Sequence, residues 1–327
     1  MTWEELDWPA LDWLRAGFLE NATADGPYWK SISGLASYDF TYGERIGWKW
    51  DHVLRELKLR QWTPAARSVF DWGCGSGVAA RRVISFFGTE RFDSLSVWDH
   101  SPAACDFAAD AASQAFPMLR VAQATPGLLA SDEPIGLLVI SHVLNELAPA
   151  ALDRLRSLVA RADSVLWVEP GTCAVSRALG ALREEFRPQF QLVAPCTHQL
   201  ACPILAPGNE RHWCHHFAPP PSEIFANSHW VKFGQRAGID LRSLPYCFLA
   251  LDRSPRPAPA PGLSRVIGRP EHFKPYARVL NCDATGLAEL TLLKRSDPAL
   301  YKQLDRTREP LVYRWRREGN SILGVET

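Results

Sequence analysis

The chain has 327 residues, 46% of them hydrophobic and 22% charged, with 36 Lys and Arg balancing 36 Asp and Glu. That is enough apolar material for a sizeable core, in one large domain or two modest ones. A formal charge of zero argues against a coat of positive charge for nucleic acid, though a local basic patch stays open.

The first residues carry Glu4, Glu5, Asp7 and Asp12 and no basic start, so they do not read as a signal or transit peptide. No apolar run approaches the roughly 20 residues of a membrane span, and a cytoplasmic protein without membrane contact is expected. In that reducing setting eight cysteines are expected as thiols or ligands. Residues 1–62 read as a helical region. Leu11, Leu14 and Phe18 are spaced for one helix and Trp50, Val53, Leu54 and Leu57 for another, with a break at Asp25-Gly26-Pro27. From 63 to 190 short apolar runs alternate with amphipathic ones. "RSVFDWGCGSG", "SLSVWDHS", "IGLLVISHVLNEL" and "SVLWVEPG" each hold a near-continuous apolar strand, which predicts a parallel sheet covered on both sides. After 190 the regularity fails, and 191–327 reads as a Cys/His-rich segment with a β extension. There "SPRPAPAPG" (254–262) predicts an extended connector, and "ARVLNCDATGLAELTLLKR" a hairpin turning at Asp283 to Gly286.

"VFDWGCGSGVAA" sets Asp71, Gly73, Cys74, Gly75 and Gly77 at a strand-to-helix junction. Glycines there let the backbone turn tightly and approach a ligand, and the helix start offers amide donors. Asp99 ends the next strand, where a carboxylate can accept the ribose hydroxyls of an adenosine cofactor. A dinucleotide fingerprint would leave Asp71 and Gly73 unused, so S-adenosylmethionine is the favoured cofactor over nicotinamide. Ser141, His142, Asn145 and Glu146 follow the third strand, and Glu169 and Thr172 the fourth. Each is a contact for cofactor or substrate or else a helix cap. No Asn-Pro-Pro-Tyr-like segment is present, and Pro195-Cys196 is a poor nucleophile among so many cysteines, so no catalytic residue is assigned.

Cys196, Cys202 and Cys214 are interleaved with His198, His212, His215 and His216. Gaps of five and eleven residues between the cysteines fit no common zinc finger, whereas iron–sulfur loops vary more. A fourth ligand would come from elsewhere, and Cys282 beside its turn is the best placed. Cys247 is expected in a core, and Cys105 and Cys173 as buried thiols. Composition and spacing leave a metal centre and buried cysteines both open.

The segments "WVEPGT", "APCTHQLACP" and "HWCHHF", with "DWGCGSG", "SHVLNEL" and "RVLNCDATG", resemble the small-ribosomal-subunit-associated methyltransferase-like family of bacteria and mitochondrial ribosome assembly, over residues 66 to 305. The resemblance implies an α/β chain: a class I S-adenosylmethionine-dependent methyltransferase (Rossmann-like) sheet, with an N-terminal helical region and a C-terminal Cys-rich/β extension. It further implies a four-cysteine iron–sulfur cluster (4Fe-4S) on Cys196, Cys202, Cys214 and Cys282. Association with small-subunit ribosomal RNA or a pre-ribosomal particle follows from it too. The 202–214 loop is longer than the family's, an extra histidine follows Cys214, and Cys173 stands where proline is common. From Arg265 onward twelve Lys or Arg outnumber eight Asp or Glu, which favours RNA contact there. The expectation is a monomeric rRNA methyltransferase whose cofactor is held by Asp71, Gly73, Cys74, Gly75, Gly77, Asp99, Ser141 and His142. The rivals are an assembly factor that keeps the fold and cluster without methyl transfer, and a small-molecule methyltransferase with a structural zinc.

Overall fold

The computed structural model of the chain describes residues 1–20, 29, 31–257, 260–306 and 309–326. The expected break at Asp25-Gly26-Pro27, Ala258 and Pro259 of the connector, and Arg308 lie outside the described residues. Helices α1 (Trp8–Glu20), α2 (Ile32–Tyr38) and α3 (Glu44–Leu59) come first. An alternation follows: β1 (Ser68–Trp72), α4 (Val78–Phe87), β2 (Ser94–Trp98), α5 (Pro102–Ala115), β3 (Arg120–Gln123), α6 (Pro126–Ala130), β4 (Ile135–Ser141), α7 (Pro149–Arg161), β5 (Ala162–Pro170) and α8 (Cys173–Phe186). Then come β6 (Gln191–Ala194), β7 (His216–Ala218), α9 (Ser228–Ala237), β8 (Leu244–Asp252), β9 (Leu263–Phe273), β10 (Tyr276–Asp283) and β11 (Gly286–Leu293). The last are α10 (Pro298–Arg306), β12 (Val312–Glu318) and β13 (Ser321–Val325). No described helix is long and apolar enough to cross a membrane.

Two compact units result: Met1–Glu169 with Pro219–Leu244, and Pro170–Ala218 with Pro245–Thr327. In the first, parallel strands lie in the order β3-β2-β1-β4-β5. β4 is apolar on both faces because both are covered, and Leu137 to Ile140 have no exposure. The chain steps outward from β1 to β3 and then returns to place β4 on the other side of β1. That reversal opens a crevice at the carboxyl ends of β1, β2 and β4, the place where open α/β sheets bind ligands. The N-terminal helices belong to this unit. Leu14 of α1, Trp29 and Leu35 of α2 pack with Ala104 of α5 in one buried cluster.

The second unit holds α8, the antiparallel pair β6–β8, β7 beside β8, and a closed barrel ordered β10-β11-β13-β12-β9. The expected hairpin is present, with Asp283 opposite Gly286. Strands β9, β12 and β13, which close it into a barrel, were not expected. The five strands together enclose Val266, Val279, Leu290, Leu292, Trp315 and Ile322 as a core. The indole N–H of Trp315 is satisfied inside by Asn281 Oδ1 at 2.8 Å.

Candidate functional site

At the end of β1 the backbone amides of Gly73 and Cys74 both donate to the Trp98 carbonyl, at 2.8 and 2.9 Å, which ties the loop to β2. Gly73, Gly75 and Gly77 have φ of +71°, +51° and +76°, a left-handed path that L side chains rarely take. Space is short as well. A Cβ on Gly73 would lie 2.6 Å from Val143 Cγ1, and one on Gly77 2.9 Å from Ala108 Cβ. Asp99 shapes the same loop: Oδ2 accepts the Gly75 amide and Oδ1 the Ser101 amide, each at 3.0 Å. His100 Nδ1 lies 3.3 Å from the same Oδ1. Cys74 is buried, and that burial, with the Cys105 thiol beside it, pushes its pKa well up. It is an uncharged wall of the loop.

Asp71 is fully buried, and neither carboxylate oxygen makes a hydrogen bond of normal geometry among the described residues. Desolvation raises its pKa to about 7, against a weaker lowering by the Ala80 amide. Glu169, at the end of β5, is also fully buried. Its Oε1 accepts the amides of Val143 and Leu144, both at 3.1 Å, and the Trp167 indole at 2.7 Å. Burial lifts its pKa to about 7 despite those donors. Glu169 therefore fixes the loop after β4 that in turn presses on Gly73.

Both carboxyls have native pKa values above their usual 3.8 and 4.5. The folded chain binds these protons more tightly than the unfolded one. The stability they contribute is full below about pH 4 and is lost as pH rises through about 7. Asp71→Asn, which stays neutral, is expected to flatten the decline in unfolding free energy between about pH 5 and pH 8 by roughly 3 kcal/mol. Denaturant melts of parent and variant at both pH values measure it.

His142 follows β4 with φ of +57°, an unusual conformation for a side chain of that size. Its Nε2 lies 3.0 Å from Lys49 Nζ and its Nδ1 3.2 Å from Ser141 Oγ. Burial first, then the charges of Lys49 and Arg45, hold its pKa well below 6.5. The ring is neutral; Lys49 can only donate, so Nε2 accepts and Nδ1–H points to Ser141. Trp50 Nε1 also donates to Ser141 Oγ at 3.0 Å, leaving the serine's own hydrogen to be given away. The structure thus gathers all eight expected cofactor residues at one end of the first unit's sheet. Lys49 and Trp50 were missed as site residues, because in the sequence they are one exposed-looking and one core-looking position of an ordinary amphipathic helix.

In the second unit Cys196, Cys202, Cys214 and Cys282 are all partly buried and lie within electrostatic reach of one another. Burial, then the neighbouring thiols, push the pKa values of Cys214 and Cys282 up. One helix organises the loop. On α8, Ser176 Oγ donates to the Cys214 carbonyl at 2.9 Å, and Glu184 Oε1 accepts the Cys202 amide at 3.1 Å. Arg177 Nη1 binds the carbonyls of Ile204, Asn209 and His212 at 3.1, 3.2 and 2.9 Å, which shapes the long 202–214 loop. Two guanidiniums are buried against the cysteines. Arg183 is 3% exposed, and Cys196 and Glu184 hold its charge against desolvation. Arg265 is 4% exposed, donates to the Pro195 carbonyl at 3.3 Å, and is pushed by burial to about 9 with Cys282 opposing. Arg265, counted among the residues favouring RNA, is therefore enclosed beside the thiols instead.

The histidines do other work. His198 Nδ1 accepts the Leu200 amide, His215 stacks on Trp213 at 4.7 Å, and His216 packs against Phe248. Among the described residues no group of three or more His, Cys, Asp or Glu is spaced to hold a metal ion. Cys105 and Cys247 are buried as expected. Cys173 is exposed, contrary to expectation, because it opens α8 on the helix's outer side.

The chain is distantly similar to several solved structures. Magnesium protoporphyrin IX methyltransferase from Synechocystis PCC 6803, with SAH bound, is 11% identical over 74% of this chain and 97% of that one, at a TM-score of 0.39. An rRNA methylase from Escherichia coli is 16% identical over 56% and 69%, at 0.34. The Thermoplasma acidophilum protein 1320 is 11% identical over 64% and 94%, at 0.37. The fold assignment itself rests on the strand order and on the glycine loop at the reversal: a class I S-adenosylmethionine-dependent methyltransferase fold. No curated protein sequence matches the chain. The family model described as mitochondrial small ribosomal subunit Rsm22 matches residues 50–308, so this chain belongs to the Rsm22 family.

Proposed function

We propose that this chain binds S-adenosylmethionine at the glycine loop and transfers its methyl group to small-subunit ribosomal RNA, free or in a pre-ribosomal particle. The observation that carries the reading is the glycine loop, bent through three left-handed residues and pinned to Asp99. S-adenosylmethionine, when bound, supplies a methyl carbon on a positively charged sulfur. The residues around it bind and orient: Gly73, Cys74, Gly75 and Gly77 line it, and the Asp99 carboxylate takes its ribose hydroxyls. Asp71, Ser141 and His142 complete the pocket. Orientation of nucleophile, methyl and sulfur supplies most of the rate.

The test uses radiolabelled cofactor with deproteinised small-subunit RNA and with assembly intermediates. Labelled RNA, and an Asp99→Ala variant whose cofactor affinity is about tenfold or more weaker, support the reading. Firm cofactor binding without transfer to either substrate would instead favour an assembly factor that has kept the fold. That second reading has its own support: the polar groups flanking the loop, Asp99, His142 and Glu169, are engaged with the protein itself.

We further propose a 4Fe-4S cluster on Cys196, Cys202, Cys214 and Cys282, acting as a cross-link between the loop after β6 and the barrel. What supports it is donor chemistry and not spacing: four thiols within electrostatic reach of one another, with two buried guanidiniums to offset the negative charge that cluster and thiolates would carry, although among the described residues no three such donors are set to hold a metal ion. Zinc is the alternative that metal analysis separates, and zinc with no RNA affinity would move the reading to a small-molecule methyltransferase. In this scheme 1–62 is a helical region, 63–190 the cofactor-binding domain and 191–327 the cluster segment with its β extension. The chain acts as a monomer in a reducing compartment, either the cytoplasm or the organelle that the family's description names.

A further inference from the structure

The barrel of the second unit runs β9-β10-β11-α10-β12-β13 in sequence and closes in the order β10-β11-β13-β12-β9. β9 pairs antiparallel with both β10 and β12, β10 with β11, and β12 with β13, while β11 and β13 are parallel. A first strand shared by both halves, a helix between the third and fourth strands, and a parallel third–fifth pair give the five-stranded Greek-key connectivity of the OB-fold. Its long first strand has to bend. β9 does so at Gly268, whose φ is +70°, near the register shift opposite Arg278 and Leu280. Barrels of this kind take single-stranded nucleic acid on the face of their second and third strands, between the 1–2 and 4–5 loops.

Here half of that face is occupied. Toward Cys282 the Cys/His segment lies over it, with the Gly268 amide donating to the His215 carbonyl at 2.8 Å and Arg269 4.0 Å above the Phe217 ring. The other half is open. Across three strands Phe273, Tyr276 and Leu293 form one rung, and Glu271, Arg278 and Thr291 the next. Phe273 is 40% and Leu293 36% exposed, although both are apolar. Tyr276 stacks behind Phe273 at 4.7 Å, and Arg278, held by Glu271, covers the same ring at 5.7 Å. Lys274 in the 1–2 loop and Lys294 and Arg295 just after β11 are exposed around this rung. The 4–5 loop reaches the same end, where the Thr291 amide donates to the Asn320 carbonyl at 2.9 Å.

We propose that this open end of the barrel is a binding site for single-stranded RNA. A base stacks on Phe273, backed by Tyr276, and Lys274, Lys294 and Arg295 meet the flanking phosphates. The choice of RNA rests on the ribosomal reading above; the site itself rests on the barrel. An exposed aromatic ringed by lysines and arginine has the chemistry of a nucleobase with its phosphates.

The experiment is fluorescence anisotropy of a labelled oligoribonucleotide of about 12 residues, the span of one such barrel, with the full chain prepared without oxygen. A single strand is expected to bind better than the same sequence in a duplex. Phe273→Ala weakens binding about tenfold, while Phe273→Trp restores it. Lys274→Glu with Lys294→Glu weakens it further and flattens its salt dependence. Phe273 is exposed, so the variants are expected to melt like the parent. Single-strand affinity that ignores both changes, or a preference for duplex, overturns the barrel site and leaves the ribosomal reading standing. A chain that binds neither the oligomer nor small-subunit RNA takes both down.

Discussion

Cys282→Ser is expected to empty the proposed cluster. In protein purified without oxygen, iron and acid-labile sulfide, about four of each per parent chain, fall to background in the variant. Three of the four thiols come from one short stretch that α8 shapes, but Cys282 belongs to β10, on the outward side of its alternation, next to Arg265 of β9. Losing it removes the only link between that stretch and the barrel among the proposed ligands. It also leaves Arg183 and Arg265 buried beside less negative charge than they were arranged to meet. A loss of about 3–5 kcal/mol follows, and a melting temperature lower by about 10 °C. Cys247→Ser is the control: a buried thiol that donates to the Pro170 carbonyl at 3.4 Å and is not a proposed ligand. Its iron should stay at the parent level. Zinc in place of iron, or iron that survives Cys282→Ser, would sink the four-cysteine assignment.

Gly73→Ala is expected to abolish measurable S-adenosylmethionine binding, a loss of at least about a hundredfold, and to cost about 2–4 kcal/mol of stability. The new Cβ meets Val143 Cγ1 at 2.6 Å with the backbone already at φ +71°. Val143 cannot retreat easily, because its amide is held by the buried Glu169. The loop must shift instead, and the amides of Gly73 and Cys74 leave the Trp98 carbonyl. Gly319→Ala separates the two causes. Its φ is +54° with nothing within 4 Å of the added carbon, so only backbone strain of about 1 kcal/mol applies. Calorimetric titration with the cofactor and denaturant melts report both quantities. Unchanged cofactor affinity in Gly73→Ala would remove the glycine loop from the proposed site.

The first unit was legible because its signals are local. An apolar strand followed by Gly-x-Gly-x-Gly describes itself within twelve residues, and β1, β2, β4 and β5 repeat the same short pattern; β3, a short and largely exposed edge strand, was not read. The hairpin of β10 and β11 was readable for the same reason, with its turn at Asp283 to Gly286. The rest of the barrel was not. β9 contains Gly268 and Pro270 and carries Arg269 and Glu271 in its second half, and β12 carries three arginines, so neither shows a clean alternation. Their strand character comes from pairing with each other and with distant β10 and β13, which no window of sequence contains. The site was legible in part. Which residues cluster followed from the motifs, but Arg183 and Arg177 looked like solvent-facing positions of a helix. Their partners are carbonyls and thiols of a loop some twenty residues on, set by tertiary packing. Glu169 was visible at its strand end; its part in bracing Val143 was not.

The barrel also sets an order of events during synthesis. β9 pairs with β10 as soon as the hairpin is made, but its other edge waits for β12, and β11 waits for β13. A ribosome-bound chain that has just released residue 214 presents three of the proposed thiols with the fourth still unmade. Even after Cys282 emerges, the wall that seats it is incomplete until about forty more residues have left the tunnel. Iron delivered early would find a partial, solvent-open set of thiols. Loading of the proposed cluster would thus be a late step, and a truncated product would announce itself by failing to hold iron.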